Sequence, residues 1–289
     1  MVETTGQALI RDIDITKNAM AFEEEALVFK GMISSKPTKS REVKFWEKTE
    51  GYLTLTSPAK LSNIAPGARP FVAETSWTTT TKYTIKYMLD SPMINMEDES
   101  DSEVQVFLDN TRDVVEAIAN DEDNDIWNVV SENQSATNIN SVTATAAWDA
   151  ASGQDPFEDV MEAKQKIREQ TKRSIRNGAL LVSAKGEKDL LVWLVSTKGS
   201  SVPNFASEKV GSGSLEKFAG LRLIVSENVT ADYAMVGDLK QAAEYRQFKP
   251  LQTWIITEEG IGRKIRVSTN GVCILRRPKF ITLIDNTET

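Results

Sequence analysis

SDSEVQVFLDNTRDVVEAIANDEDNDIWNVV, running from Ser100 to Val130, is the stretch whose reading decides the fold. Val104, Phe107, Leu108, Thr111, Val114, Val115 and Ile118 recur at helical spacing, and the pattern resumes at Ile126. This places one apolar stripe along an α-helix, with Asp109, Arg112, Asp113, Glu116 and Asn120 on its other faces. Ser100 and Glu103 have capping-box spacing, and acidic residues crowd the first turn, where the helix dipole favours them. A helix from Asp101 to Trp127 is about 40 Å long at about 1.5 Å per residue. It exceeds an ordinary globular helix and reads as a spine on which other elements are mounted.

The 289 residues allow one large domain or two modest ones around a buried core. An apolar content of 40% and a charged content of 26% are ordinary for a folded chain. Asp and Glu number 42 against 34 Lys and Arg, a net charge of −8. That balance argues against a protein that grips nucleic acid by neutralising phosphates, while leaving room for a local basic patch. There is no histidine, and Cys273 is the only cysteine. Ser-His-Asp and Cys-His catalysis, a Cys/His zinc site within one chain and an intrachain disulfide are all ruled out. Cys273 sits in the apolar run Val272-Cys273-Ile274-Leu275 and reads as a buried, inert thiol. No run approaches the ~18 apolar residues of a membrane span, and no signal-peptide pattern opens the chain. A reducing cytoplasm is the expected compartment.

Residues 1–40 read as an extended or partly helical arm whose apolar positions find partners on other surfaces. From Arg41 to Tyr87 the composition favours strands, with candidates at Tyr52–Thr56 and Trp77–Tyr87. Between them the breaker-rich Ser57–Gly67 makes the tip of a long hairpin, either covered by a neighbouring molecule or folded onto its own domain. The polar Ser131–Ala147 reads as a linker. Asp155-Pro156-Phe157-Glu158 then starts a helix with an N-cap, a proline at the first position and a capping glutamate. Phe157, Val160, Met161 and Ile167 are its expected inward stripe, and Asn177-Gly178 its stop. A buried strand at Ala179–Ser183 follows, then a helix over Glu187–Val195 with Leu190, Leu191 and Leu194 inward. Thr197–Ser214 is a loop long enough to suggest a contact role. Further strands are expected at Leu221–Val225, Tyr233–Val236, Leu251–Thr257, Lys264–Val267 and Val272–Leu275. Turns are expected at Glu259-Gly260 and Asn270-Gly271. No internal repeat is present.

Candidate chemistry is sparse. Asp121-Glu122-Asp123-Asn124-Asp125, with Glu132 at the twelfth position, imitates a calcium loop, but Ile126 stands where glycine is needed. A solvated acidic helix end is the simpler reading. Gly260-Ile261-Gly262-Arg263-Lys264 has the wrong spacing for a phosphate loop and reads as a hairpin turn. Arg276-Arg277-Pro278-Lys279 reads as a solvated edge or an intersubunit ion pair. Carboxylates abound, yet no spacing singles out an acid–base pair. No catalytic, cofactor-binding or metal-binding residue is assigned, and no cofactor is expected.

The order of these parts, from about Arg41 to Ile284, resembles the major capsid proteins of tailed bacteriophages and related archaeal viruses, the Hong Kong 97 type of capsid fold. Particular phrases carry the resemblance. Ala68-Arg69-Pro70-Phe71-Val72-Ala73-Glu74 resembles the hairpin's return. Leu89-Asp90-Ser91, Phe107-Leu108 and Ile118-Ala119-Asn120-Asp121-Glu122-Asp123 resemble the spine with its acidic end. Val236-Gly237-Asp238-Leu239-Lys240-Gln241-Ala242 resembles the Gly-Asp-aromatic exit from the α/β domain, with Leu239 in place of the aromatic. Arg276-Arg277-Pro278-Lys279-Phe280 resembles the late segment ending in proline, a small residue and Phe, with Lys279 departing from it.

The resemblance implies an α+β fold in five parts. These are an N-terminal arm (1–40), an extended β-hairpin or E-loop (41–90), a spine helix with part of the P-domain (91–147), a compact α/β A-domain (148–245), and C-terminal strands returning to the P-domain (246–289). It implies a major capsid protein that self-assembles as hexamers and pentamers into an icosahedral viral head around double-stranded DNA, in a virion assembled in the host cytoplasm. The 197–214 loop would meet its copies at the capsomer centre, while the hairpin and arm overlap neighbours. Scaffolding, portal and decoration proteins are the implied partners, with no membrane. DNA is enclosed without sequence-specific binding, which suits an acidic container. Such self-assembly needs no enzyme activity. The sequence leaves no room before the arm for a long fused scaffolding domain, so a separate scaffolding protein or removal of a leading segment is expected. Some relatives cross-link through a Lys–Asn isopeptide bond, but no pair stands out here. An encapsulin-like nanocompartment shell and a soluble α+β enzyme using carboxylates are the alternatives.

Overall fold

The computed structural model describes residues 5–50, 65–69, 77–95, 106–150, 152–175, 178–198 and 215–289. Its elements begin with α1 (Thr5–Ala26), β1 (Ser34–Pro37), β2 (Glu42–Glu47), β3 (Thr78–Tyr83), β4 (Ile85–Asp90), β5 (Ile94–Asn95) and α2 (Val106–Val130). They continue with β6 (Asn140–Thr143), α3 (Pro156–Thr171), β7 (Ala179–Val182), α4 (Ala184–Trp193), β8 (Lys217–Phe218) and β9 (Leu221–Val225). The last are β10 (Tyr233–Gly237), α5 (Leu239–Ala242), β11 (Ala243–Glu258), β12 (Gly262–Leu275) and β13 (Ile281–Asp285). They form two compact units, one drawn from segments within 1–44, 81–129 and 244–274, the other from 45–80, 130–243 and 275–289.

In the first unit the expected apolar stripe does its work. Val114, Val115 and Ile118 of α2 are at most 5% exposed and share a core with Ala19, Tyr87, Leu251, Ile265 and Val267. Burying an aliphatic side chain of this kind contributes about 1.5–3 kcal/mol. The spine therefore runs where the periodicity places it, reaching Val130. Ser100, Glu103 and Val104, its expected start, lie outside the described residues. The sheet beside it has the order β1-β11-β12-β4, with β5 also paired to β12. β1 is parallel to β11 (Ser34 opposite Glu244), and β4 is antiparallel to β12 (Ile85 opposite Gly271).

The arm is more regular than expected: α1 leads into a short 3-10 turn, Lys30–Met32, and then into β1. The single strand expected over Trp77–Tyr87 breaks at Thr84, whose N–H donates to Arg41 O at 2.9 Å. β3 then pairs with β2, and β4 with β12. The expected strand Tyr52–Thr56 and most of the hairpin tip lie outside the described residues, but Gly67 makes a turn there at φ 84°. Glu259-Gly260 turns as expected, with Gly260 at φ 75°. Asn270-Gly271 does not. β12 runs straight through it, because Gly271 serves a packing need: a Cβ there would collide with the phenol of Tyr245.

The second unit carries a mixed sheet of order β6-β13-β10-β7-β9-β8. β13 is parallel to β6 and antiparallel to β10, and β7 is antiparallel to β10 but parallel to β9. Val160, Ala163 and Ile167 of α3 and Leu190 and Trp193 of α4 pack into its core with Leu180, Val182 and Val236. The start of α3 is as read: the Asp155 carboxylate accepts the Glu158 N–H at 3.2 Å, and Pro156 follows. It stops earlier, however, at Lys172 in the left-handed region (φ 54°). Its rotation also differs, with Phe157 and Met161 47% and 42% exposed. The cause is Asp159, 1% exposed, which accepts from Thr145 N, Thr145 Oγ1 and Trp148 Nε1 at 3.1, 3.1 and 3.0 Å. Turning that carboxylate inward turns Phe157 and Met161 out. α4 begins earlier than read, capped by Ser183 Oγ accepting the Gly186 N–H at 3.0 Å.

Ser131–Ala147 is not a linker. It holds β6, whose Val142 is 2% exposed, and Asn140 Nδ2 donates to Lys279 O and Ile281 O at 3.1 and 3.0 Å. Asn140, a polar residue by composition, is here a tie between strands. The last strand, β13, lies inside this sheet, between β6 and β10.

Candidate functional site

The acidic run Asp121–Asp125 lies inside α2, and the expected solvated helix end is corrected here. Asp121 and Asn124 are exposed, but Glu122 and Asp123 are each 1% exposed. Glu122 falls two turns beyond Val115 and one turn before Ile126, so the inward stripe itself carries it into the interior. A buried carboxylate needs partners, and the first unit supplies them.

Asp123 binds the end of the arm. Its Oδ2 accepts the N–H groups of Val28 and Phe29 at 2.6 and 3.1 Å, and its Oδ1 accepts that of Lys30 at 3.2 Å. Phe29, 1% exposed, stacks on Trp127 with ring centroids 6.0 Å apart and planes 25° from parallel. Lys30 Nζ bridges Glu23 Oε1 at 2.8 Å and Glu122 Oε2 at 2.9 Å, and lies 5.0 Å from the centroid of the Tyr245 ring. Tyr245 Oη donates to Glu122 Oε1, and Tyr87 Oη donates to Asp125 Oδ2 at 2.5 Å. Side chains from α1, the arm's 3-10 turn, β4, α2 and β11 thus meet in one cluster.

Burial pushes Glu122 upward from the ordinary carboxylate range, against the pull of Lys30 and Tyr245. It does the same to Asp123, against its three main-chain donors. Burial draws Lys30 down, but Glu122 and Glu23 outweigh it and the net movement is upward. Burial and the adjoining carboxylates lift both phenols well above their usual range. Nearby, hydrogen bonds from Arg266 Nε and Nη2 at 2.5 and 2.6 Å, with Lys264 at 3.3 Å, lower Asp90 to about 2.

This arrangement holds the chain together. A catalytic acid or base must reach a reacting atom, whereas Glu122 and Asp123 are enclosed and engaged with protein donors. The calcium-loop reading also fails on geometry. Glu132 lies past the end of α2 and accepts the N–H groups of Asn138 and Ile139 at 2.7 and 3.3 Å. Among the described residues, no group of His, Cys, Asp or Glu side chains is placed to hold a metal ion. Cys273 is buried and its thiol is pushed up to about 12 by that burial. Gly260–Lys264 spans the β11–β12 turn. The N–H groups of Arg276 and Arg277 both donate to Ala242 O, at 2.9 and 3.0 Å, and Pro278 is buried, so this basic segment is anchored by its main chain. Most of the 197–214 loop lies outside the described residues. A groove of about 700 Å³ on the second unit, lined by Glu158, Glu162, Lys164 and Arg168 among others, mixes both charges without converging them on one point.

The reading from residues alone missed Glu23, Lys30, Tyr87 and Tyr245. Each belongs to a different segment, and no local spacing connects them to Glu122.

A helical arm, a spine helix crossed by long strands and a separate α/β unit define the Hong Kong 97 type of capsid fold. The solved structures that the chain is similar to are of this kind. Over 91% of its length it is similar to a structure from Mycobacterium phage Che8, covering 92% of that chain at 16% identity with a TM-score of 0.65. The capsid structure of Cyanophage P-SCSP1u is similar at 13% identity and a TM-score of 0.68, covering 91% of this chain and 89% of that one. A virus-like particle from Pyrococcus furiosus is similar at 12% identity and a TM-score of 0.59, covering 95% of this chain and 99% of that one. The phage capsid protein family matches residues 73–283, and the chain belongs to it. No curated protein sequence matches the chain.

Proposed function

We propose that the chain is a major capsid protein that assembles as hexamers and pentamers into an icosahedral head enclosing double-stranded DNA. The observation that carries this reading is the family match across 73–283, which includes the spine helix and the α/β sheet up to the middle of β13. The role is structural and needs no catalytic residue. The hairpin and N-terminal arm overlap neighbouring subunits, and the 197–214 loop faces its copies at the capsomer centre. Scaffolding, portal and decoration proteins are its partners during assembly in the host cytoplasm. The net charge of −8 suits a wall that encloses DNA without adhering to it.

Sedimentation velocity on the purified chain, with negative-stain images of the fastest fraction, tests the reading. Hollow shells, or discrete hexamers and pentamers, are expected, with nuclease-protected DNA in particles taken from infected cells. A 32.1 kDa species that never assembles, even with a scaffold partner, would overturn it. Shells that enclose a protein cargo instead of DNA would replace the virion reading with a nanocompartment.

A further inference from the structure

We propose that seating of the N-terminal arm on the spine helix is coupled to proton uptake at Glu122, so that mildly acid solution favours the seated arm. Glu122 faces Glu23 of α1, Lys30 of the 3-10 turn, Tyr87 of β4 and Tyr245 of β11; Asp121 and Asp125 of α2 face Tyr87, Cys273 of β12 faces Tyr245, and Asp123 of α2 shares Lys30. Lys30 bridges the carboxylates of Glu23 and Glu122, and Asp123 and Asp125 lie beside them on α2. Excess negative charge in an enclosed place favours a bound proton.

The geometry selects which carboxylate takes it. Burial raises both carboxyls, but Asp123 receives three main-chain N–H groups, which favour its ionised form and oppose that rise. Glu122 receives the Tyr245 hydroxyl and a share of Lys30. A hydroxyl both donates and accepts, so a protonated Glu122 can donate to Tyr245 Oη as that O–H turns away, and the contact survives. Lys30 then keeps Glu23 at 2.8 Å as its counter-charge. Gly271 leaves the space that holds the Tyr245 ring in place.

When the arm lifts, Glu122 meets water and titrates at its ordinary value. The seated form, with its carboxyl raised by burial, binds more protons than the released form. Stability of the seat therefore falls as pH rises from the ordinary glutamate value of 4.5 toward the raised one. Lys30, raised in the seat, contributes fully below its ordinary 10.5 and adds no slope in this window. Asp90, at about 2, and Cys273, at about 12, also titrate outside it.

Amide hydrogen exchange at Val28, Phe29 and Lys30, followed in the full unassembled chain and corrected for intrinsic rates, reads the opening constant. Upward from about pH 5 the wild type is expected to lose protection by up to about tenfold per pH unit, the limit for one proton, until Glu122 is ionised in the seat. Glu122→Gln is expected to flatten the profile and to be the better protected protein at the alkaline end. A wild-type profile that is flat or rises with pH overturns the proposal, as does a Glu122→Gln profile that keeps the slope. Should that variant fail to fold, Tyr245→Phe serves instead. It removes a donor to the ionised form and is expected to extend the slope to higher pH, and an unchanged profile would overturn the coupling. The measurement needs no shell, so its outcome is separate from that of the assembly experiment.

Discussion

Asp123→Ala is the sharpest test of how the arm is held. The substitution removes the acceptor of three main-chain N–H groups and leaves them facing a methyl group. An unsatisfied buried donor costs about 1–3 kcal/mol, with less where water can reach it. The Phe29 contact is buried, while those at Val28 and Lys30 are partly buried. Assigning the upper part of that range to Phe29 and the lower to the other two gives about 4 kcal/mol in all. Part is returned because alanine no longer buries a charge, so a loss of about 3 kcal/mol is expected. Asp123→Asn keeps one acceptor oxygen and the shape, and is expected to lose about half as much. Urea unfolding with unchanged slope gives the difference, and exchange at the Val28–Lys30 amides shows whether the loss is local. An alanine variant within about 1 kcal/mol of wild type would refute the clasp, because three charged hydrogen bonds could not then be holding this segment.

Three further outcomes follow from the same contacts. Asp159→Ala leaves Trp148 Nε1 and the two Thr145 donors without their acceptor, and is expected to cost about 3–5 kcal/mol and to weaken the near-ultraviolet circular dichroism; an unchanged spectrum and midpoint would contradict that. Gly271→Ala is expected to cost about 1–3 kcal/mol by displacing Tyr245, and a variant as stable as wild type in urea would show the phenol has room to move. Cys273 is expected to resist a thiol reagent at neutral pH until denaturant exposes it, since its thiol is buried and titrates at about 12; rapid native-state labelling would count against this burial.

What was legible in the residues was whatever repeats locally. The stripe through Val114, Val115 and Ile118, the Asp155-Pro156 helix start and the continuous apolar run of β7 all follow from neighbours within a turn or two. Long-range demands were not legible. Asn270-Gly271 has hairpin chemistry, but the ring of Tyr245 claims the space at Gly271 and the strand runs on. Phe157 and Met161 have inward spacing, yet Asp159 wins the rotation of α3 through Thr145 and Trp148. Asn140 looks like linker because its two acceptors lie in residues 279 and 281. The acidic run of α2 failed for the same reason: composition says solvent, while Lys30, 92 residues away, says otherwise.

The place of β13 has a consequence for how the chain is made. Residues 281–285 are the inner neighbour of both β6 and β10, so the strands on either side of this position stay apart until the ribosome has released this stretch. From the synthesis of residue 237 until residues 281–285 emerge, a nascent chain therefore carries β6 and β10 with the edges that β13 later covers. Completion of one strand becomes the event that turns a polypeptide into a building block.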